Sequence, residues 1–196
     1  MKSTYVSVTE TAKLVRGALK KAFPGVKFSV KSDKYAGGAS IDVRWTDGPC
    51  SAAVEPVAKQ FQGGGFDGMI DLKFGRDSWL SPDGTAMTAS DEGTAGSGGV
   101  YGPVRNWMPD PDAKLVHFGA DFIFCNRTIS PALLTRARDR LAAKGYPVEV
   151  VEIVVSDYGD AYVKTLTYDQ EKTRGFDMER EIMAAAHKTH CCAGGK

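Results

Sequence analysis

Two short runs of alternating residues constrain the fold of this chain most strongly. Residues 26–31, VKFSVK, alternate apolar and polar side chains, and after a glycine-containing loop residues 40–45, SIDVRW, alternate in the reverse order. Successive side chains of a β-strand point to opposite faces, so a run of this kind buries one face only. The two runs therefore predict a β-hairpin whose apolar face is covered by other elements.

A helix is predicted immediately before this hairpin. Ser7 and Glu10 have the spacing of a capping box, in which each side chain accepts a hydrogen bond from the backbone amide of the other. Apolar residues then recur at spacings of three and four over residues 8–23, and Pro24-Gly25 ends the pattern. We expect the apolar stripe of this helix to pack on the hairpin.

The remaining elements have local signals and together indicate the fold class. They are a helix over 51–61, beginning at Ser51 or only at Pro56, a strand or bent strand pair over 115–125, a helix over 130–144, strands over 148–155 and 162–168, and a helix over 177–187. This order predicts an α+β fold with helices packed on a largely antiparallel sheet. We expect a single domain over residues 1–190 and a flexible tail over 191–196.

Residues 81–111 differ in composition from the rest of the chain. They are rich in Gly, Ser, Thr, Ala, Asp and Pro, and they show neither a helical nor a strand period. Such a stretch predicts a long Gly/Ser-rich loop or an insertion, and long loops in compact domains are commonly functional or disordered. Trp107 could anchor a binding partner from this loop, although the rarity of exposed large apolar side chains favours packing on the core.

The stretch FQGGGFDGMIDL at 61–72 shares residue types with several glycine-containing binding sites, but it lacks the other features that those sites require. A phosphate-binding loop would continue with lysine and a hydroxyl residue, and a dinucleotide fingerprint would follow a strand and open a helix. A calcium loop would need more oxygen ligands than Asp67 and Asp71. The glycines therefore predict a structural turn that delivers Met69, Ile70 and Leu72 into a sheet.

Residues with catalytic chemistry are present, but their pattern does not define an enzyme. Asp67, Asp71 and Asp121 could form a magnesium or acid–base site, and His117 with Cys125 could form a nucleophile–base pair. Each has a plainer interpretation, because buried cysteines and hydrogen-bonded histidines are common in apolar strands. We predict no catalytic residues and no cofactor, and the residues favour a binding protein over an enzyme.

The carboxyl-terminal sequence HKTHCC, residues 187–192, contains chemically suitable zinc ligands. Zinc sites usually separate two ligand pairs by a loop or domain, so four ligands at one terminus favour incidental metal binding, and we predict no metal site. The four cysteines do not form a disulfide framework, which favours a reduced compartment. No apolar run is long enough to span a bilayer, so we expect a cytoplasmic protein with no membrane partner.

Charge is distributed unevenly along the chain. Its net charge is only +1, yet residues 1–44 contain nine Lys or Arg and three Asp or Glu, a surplus of six positive charges. The candidate binding residues are Lys13, Arg16, Lys20, Lys27, Lys31, Lys34 and Arg44, with Tyr35 available to stack. Such a surface could contact the phosphates of DNA or RNA, or an acidic protein surface. The alternative is an ordinary solvated face, because lysines on edge strands also discourage aggregation.

Three long phrases resemble one known family. They are YVSVTETAKLVRGALKKAFPGVKFSVKSDKYAGGASIDVRWTDGP, GFDGMIDL and HFGADFIFCNRTIS, and the resemblance spans residues 4–145. The family is a domain associated with the large polyvalent proteins of phages and conjugative elements. The resemblance implies proteins that enter a recipient cell together with DNA, and it carries over no catalytic residues.

This resemblance implies a role in a bacterial host cell. A short chain of this family looks like an accessory or counter-defence factor, and we expect it to inhibit a host CRISPR or restriction complex by stoichiometric binding. The partner would be a host defence protein or ribonucleoprotein. The alternative is a nucleic-acid-binding module that uses the basic face of the amino-terminal hairpin.

Overall fold

The computed structural model describes residues 2–91, 107–157 and 159–188 of the chain. The helices are α1 (Val8–Ala22), α2 (Ser51–Lys59), α3 (Pro131–Ala142), α4 (Gln170–Thr173) and α5 (Met178–Lys188), and Val148–Val150 is a 3₁₀ turn. The strands are β1 (Thr4–Val6), β2 (Ser29–Tyr35), β3 (Gly38–Thr46), β4 (Gly64–Asp67), β5 (Leu72–Leu80), β6 (Ala86–Asp91), β7 (Lys114–Phe118), β8 (Phe122–Thr128), β9 (Val151–Val155) and β10 (Ala161–Thr165).

The α+β class is confirmed, and so is the largely antiparallel strand pairing. One sheet has the order β1-β7-β5-β4 with β6 also paired to β5, a second has the order β2-β3-β8, and β9 and β10 form a separate hairpin. β1 runs parallel to β7, whereas β2–β3, β4–β5, β5–β6, β5–β7 and β9–β10 are antiparallel.

The described residues form two compact units. The first comprises those within 1–44 and 51–126, and the second comprises those within 45–50 and 127–196. Among the described residues, no helix combines the length and the apolar character needed to cross a membrane.

Helix α1 of the first unit begins where the capping box predicts. The backbone amide of Glu10 donates to Ser7 Oγ at 3.3 Å, and the amide of Ser7 donates to Glu10 Oε2 at 3.0 Å. Both donors lack partners inside the helix, so the reciprocal pair satisfies them. Val8, Ala12, Val15 and Leu19 of the predicted stripe are buried, together with Thr11, whereas Ala22 at the end of the helix is exposed. This stripe allows α1 to contact α2 and β2.

The predicted hairpin is also present, as β2 and β3. Its register pairs Val30 with Val43 and Lys31 with Asp42, so apolar and polar positions occupy opposite faces. Val30, Ile41 and Val43 are buried, whereas Lys31 and Arg44 are exposed. The alternation of the sequence therefore becomes an inner face in the core and an outer face toward solvent.

The glycines of residues 63–65 are not a turn, which corrects the prediction. Gly64 and Gly65 belong to strand β4, where an added Cβ on Gly65 would lie 2.3 Å from Phe74 Cζ. An added Cβ on Gly63 would lie 1.8 Å from the carbonyl oxygen of Phe118. Glycine is required at positions 63 and 65 because neighbouring atoms lie too close to admit a side chain, and not because the chain reverses direction there.

The turn itself lies after the glycine triplet, over residues 68–71. Met69 is 74% exposed, and Ile70 and Leu72 are also exposed. The prediction that these three residues enter a sheet therefore holds for Leu72, which begins β5, and is wrong for Met69 and Ile70, which lie in the turn. These three side chains form an apolar hairpin tip between β4 and β5.

The prediction of a loop over 81–111 is partly wrong. Ala86–Asp91 forms β6, which pairs with β5 through a register shift between Asp77 and Ser78. The composition hides this strand because Ala, Thr and Ser contribute little to the apolar period. Residues 92–106 lie outside the described residues.

The second unit packs α3 and α5 against the β9–β10 hairpin. Its core includes Leu133, Leu134, Val163, Ile182 and Ala186, all of which are buried. Ser130 caps α3 as predicted, because its hydroxyl accepts from the amide of Leu133 at 3.2 Å. Gly145 follows that helix with φ of 83°, a conformation that favours glycine.

Candidate functional site

A basic groove lies between α1 and the segment that leads into β2, and we call it the edge groove. Its volume is about 600 Å³. It is lined by Arg16, Lys20, Phe23, Gly25, Val26, Lys27, Phe28 and Val30. Three of these residues are cations, and none of the described residues that line the groove is acidic. The groove therefore concentrates positive charge beside apolar surface.

Helix periodicity and one hydrogen bond position the cations. Arg16 and Lys20 are four residues apart, so they lie on the same side of α1. Arg16 Nη2 donates to the backbone carbonyl of Val30 at 2.6 Å, which holds the guanidinium at the edge of β2. Phe23 and Phe28 pack at 5.9 Å between ring centroids and form the apolar part of the groove.

A second groove lies on the outer face of the β2-β3-β8 sheet, and we call it the sheet-face groove. Its volume is about 520 Å³. It is lined by Lys31, Ser32, Asp33, Ser40, Asp42, Arg44, Phe124 and Asn126. Phe124 is 53% exposed and its neighbour Ile123 is buried, so β8 alternates like the hairpin.

Charges in the sheet-face groove are balanced. Asp42 Oδ2 accepts from Arg44 Nε at 2.5 Å, and Asp42 Oδ1 accepts from Asn126 Nδ2 at 2.8 Å. Lys31 lies opposite Asp42 in the hairpin register, and Asp33 adds a second carboxylate. This groove is therefore polar with an exposed ring, whereas the edge groove is cationic.

The structure separates the predicted basic surface into parts. Arg16, Lys20 and Lys27 meet in the edge groove, and Lys31 and Arg44 meet in the sheet-face groove. The other predicted binding residues, Lys13, Lys34, Tyr35 and Trp107, line neither groove.

Each of these four residues has its own setting. Lys13 lines a different groove together with Lys21 and Asp83. Lys34 and Tyr35 lie at the far end of β2, and a Cβ added to Gly38 would meet the Tyr35 ring at 3.0 Å. Trp107 is 62% exposed.

The three candidate aspartates have separate roles. Asp67 is buried and accepts from the amide of Met69 at 3.0 Å, and Asp71 is a turn residue with φ of 53°. Asp121 accepts from Lys73 Nζ at 2.6 Å and from the amide of Ala39 at 3.1 Å. Within the described part of the chain, no group of three or more potential metal ligands occurs. His190, Cys191 and Cys192 lie outside the described residues.

His117 and Cys125 also have structural surroundings. His117 Nδ1 lies 3.1 Å from Asp77 Oδ1, directly across the β5–β7 pair. Burial raises the pKa of the Cys125 thiol to about 11, so the reactive thiolate is scarce at neutral pH. Cys125 is a free thiol, but Cys50 is disulfide-bonded, which contradicts the expectation of reduced thiols at that position.

Sequence reasoning missed the aromatic residues of both grooves and the partners of Arg44. Phe23 and Phe28 flank Pro24-Gly25 in the sequence, whereas Phe122, Ile123 and Phe124 are consecutive apolar residues, so no alternation marks Phe124 as exposed. The hydrogen bond between Arg44 and Asp42 is harder to predict from the sequence. The two residues are two apart, which places them on one face of the strand but does not show that they are in contact.

The described residues thus define an α+β protein with a cationic edge groove and an adjoining polar sheet face. A family model described as large polyvalent protein associated domain 29 matches residues 6–130, so the chain belongs to this family. The resemblance found in the sequence is confirmed, and the match includes both grooves. The family is associated with phages and mobile elements. No curated protein and no solved structure matches the chain.

Proposed function

We propose that this protein is a phage or mobile-element accessory protein that binds nucleic acid through the edge groove. The observation that carries the proposal is a groove lined by three cations without an acidic residue among its described lining. Because phosphates dominate the affinity of proteins for nucleic acids, Arg16, Lys20 and Lys27 suit contacts with successive phosphates. The protein would act in the cytoplasm of a host bacterium.

Preorganisation supports this proposal. Arg16 already donates to Val30 at 2.6 Å, so its guanidinium loses little conformational freedom when it binds a phosphate with its other donors. The edge groove also contrasts with the sheet-face groove, in which Asp42 engages Arg44. Cations without a nearby carboxylate are the better phosphate ligands.

Fluorescence anisotropy with labelled DNA and RNA, single- and double-stranded, tests this function. Three phosphate contacts predict a slope of about −2 to −3 for log affinity against log salt concentration. Lys20→Glu/Lys27→Glu should reduce that slope to about −1 and weaken binding at least about tenfold. Lys144→Glu/Lys172→Glu is the matched control, since it makes the same charge change at exposed residues that line neither groove.

Two outcomes would contradict the proposal. One is the absence of binding to any of the four nucleic acids at low salt, with the protein shown to be folded by circular dichroism. The other is equal weakening by both double variants, which would assign the effect to net charge and not to the groove.

A second candidate function is stoichiometric inhibition of a host CRISPR or restriction complex. The observation that favours it is the apolar hairpin tip, where Phe66, Met69, Ile70 and Leu72 are all exposed. Contiguous exposed apolar side chains often mark protein contacts, and these lie within the family match. The target would be a host defence protein or ribonucleoprotein.

Transformation of host strains with a plasmid targeted by an active CRISPR or restriction system tests this candidate. Graded expression of the protein should restore transformation in proportion to dose, and Met69→Ser/Ile70→Ser/Leu72→Thr should abolish the effect. Val155→Thr/Leu166→Ser is a control at similarly exposed apolar residues. Unchanged transformation at every dose, or equal inhibition by the tip variant, would argue against it.

A further inference from the structure

We infer that the sheet-face groove takes the bases of a single-stranded nucleic acid, with one base stacked on Phe124. This inference rests on the proposed function, because the edge groove would hold the phosphates of the same strand. The sheet face determines which kind of nucleic acid is preferred.

The aromatic surface is the first argument. Phe124 is 53% exposed on β8, and its ring stacks on Phe122 at 6.3 Å with an interplanar angle of 30°. Stacking of bases on exposed aromatic side chains of a sheet is a general mode of single-strand recognition.

The position of Phe124 relative to the edge groove also supports the inference. β2 is the edge strand of the β2-β3-β8 sheet, and β8 lies two strands away from it. Adjacent strands are about 4.8 Å apart, so Phe124 lies about 10 Å from the β2 edge. A strand whose phosphates contact the edge groove has to cross at least this distance, so the base that stacks on Phe124 belongs to a neighbouring nucleotide of the same strand.

Charge on the sheet face is the third argument. The balanced set of Lys31, Arg44, Asp33 and Asp42 offers no net positive charge for a backbone, but it offers polar partners for base edges. Asn126 donates to Asp42 at 2.8 Å, and this bond orients its amide two residues from Phe124. The edge groove and the sheet face therefore match the two sides of a nucleotide, phosphate and base.

The bases of a duplex are stacked and paired, so they cannot reach Phe124 without being unstacked. We therefore expect single-stranded DNA or RNA to bind more tightly than a duplex of the same sequence. Comparison of DNA with RNA in the same assay distinguishes the two sources of single strand.

The test compares wild type with Phe124→Ala, Phe124→Leu and Phe124→Trp by anisotropy over a salt series. Loss of one stacked base should weaken single-strand binding about 10-fold in the Ala and Leu variants, and Trp should preserve it. The salt slope should stay unchanged, because no phosphate contact is lost. Phe176→Leu is the matched control at another exposed phenylalanine.

The outcomes separate this inference from the proposed function. Equal affinity for single strand and duplex, or unchanged single-strand affinity in Phe124→Ala, overturns the inference. If binding still depends on salt in that case, the proposed function of the edge groove stands. The absence of all binding overturns both. Phe124→Leu retains apolar volume, so a folded Leu variant that loses affinity supports stacking even if the Ala variant does not fold.

Discussion

The substitution Gly63→Ala should destabilise the protein more than alanine at any other glycine of the FQGGGFDG stretch. Its added Cβ would lie 1.8 Å from the carbonyl oxygen of Phe118 and 2.8 Å from the carbonyl carbon. Both atoms are backbone, so no rotamer change relieves the overlap. The amide of Gly63 also donates to Ala120 at 2.8 Å, and its carbonyl accepts from the amide of Arg76 at 2.8 Å.

The magnitude follows from these contacts. A Cβ needs about 3.0 Å from such an oxygen, so the chain must move by at least about 1.2 Å. This movement costs about 1–3 kcal/mol in strain and packing. It also weakens two short backbone hydrogen bonds, each costing about 1–2 kcal/mol when its buried groups lose a partner. The sum of about 3–7 kcal/mol is a large part of the usual stability of about 5–15 kcal/mol.

Urea unfolding monitored by tryptophan fluorescence measures this effect, because Trp79 is buried in β5, the strand paired with β4. Gly68→Ala is the matched control, since a Cβ there meets nothing within 4 Å and its φ is not positive. The control should change the free energy of unfolding by less than about 1 kcal/mol. Equal unfolding midpoints for the two variants would refute the reasoning from close approach.

Three further predictions concern other parts of the chain. Hydrogen bonds from Ser7 lower the pKa of Glu10, so its contribution to stability is present above the ordinary value of 4.5 and is lost as pH falls through the lowered pKa. The melting temperatures of wild type and Glu10→Gln should therefore converge in acid. A difference in melting temperature that does not depend on pH would contradict this prediction. Burial raises the pKa of Cys125 to about 11, so alkylation mapped by mass spectrometry should be much slower at pH 8 in folded than in urea-unfolded protein, and equal rates would contradict the burial. Asp47→Ala should cost about 1–3 kcal/mol in chemical unfolding, because Asp47 accepts from the amide and hydroxyl of Ser130 at 2.8 and 2.7 Å, and a loss below about 0.5 kcal/mol would show that this cap contributes little.

Local signals in the sequence predicted the elements whose stabilising contacts are themselves local. The capping box of α1 is made by residues three apart, and the cap of α3 likewise joins Ser130 to Leu133. The β2–β3 hairpin follows from two alternating runs joined by a short loop. In each case the interacting groups are neighbours in sequence, so spacing alone carries the information.

The glycine triplet shows where local reasoning fails. Glycine suits both a turn and a close approach, and the residues that choose between them, Phe118 and Phe74, are distant in sequence from Gly63 or lie across the hairpin from Gly65. Strand β6 was missed for a related reason, because its pairing with β5 and not its composition makes it a strand.

The sequence by itself determined that this chain is an α+β member of a phage and mobile-element family with a basic amino-terminal region. Only the tertiary structure decided which of those basic residues act together. Arg16 and Lys27 meet because α1 packs beside β2, whereas Arg44 is engaged by Asp42 on the opposite face of the hairpin. Composition and spacing set the number and sign of charges, but packing sets the distances between them, and electrostatic interactions depend on distance.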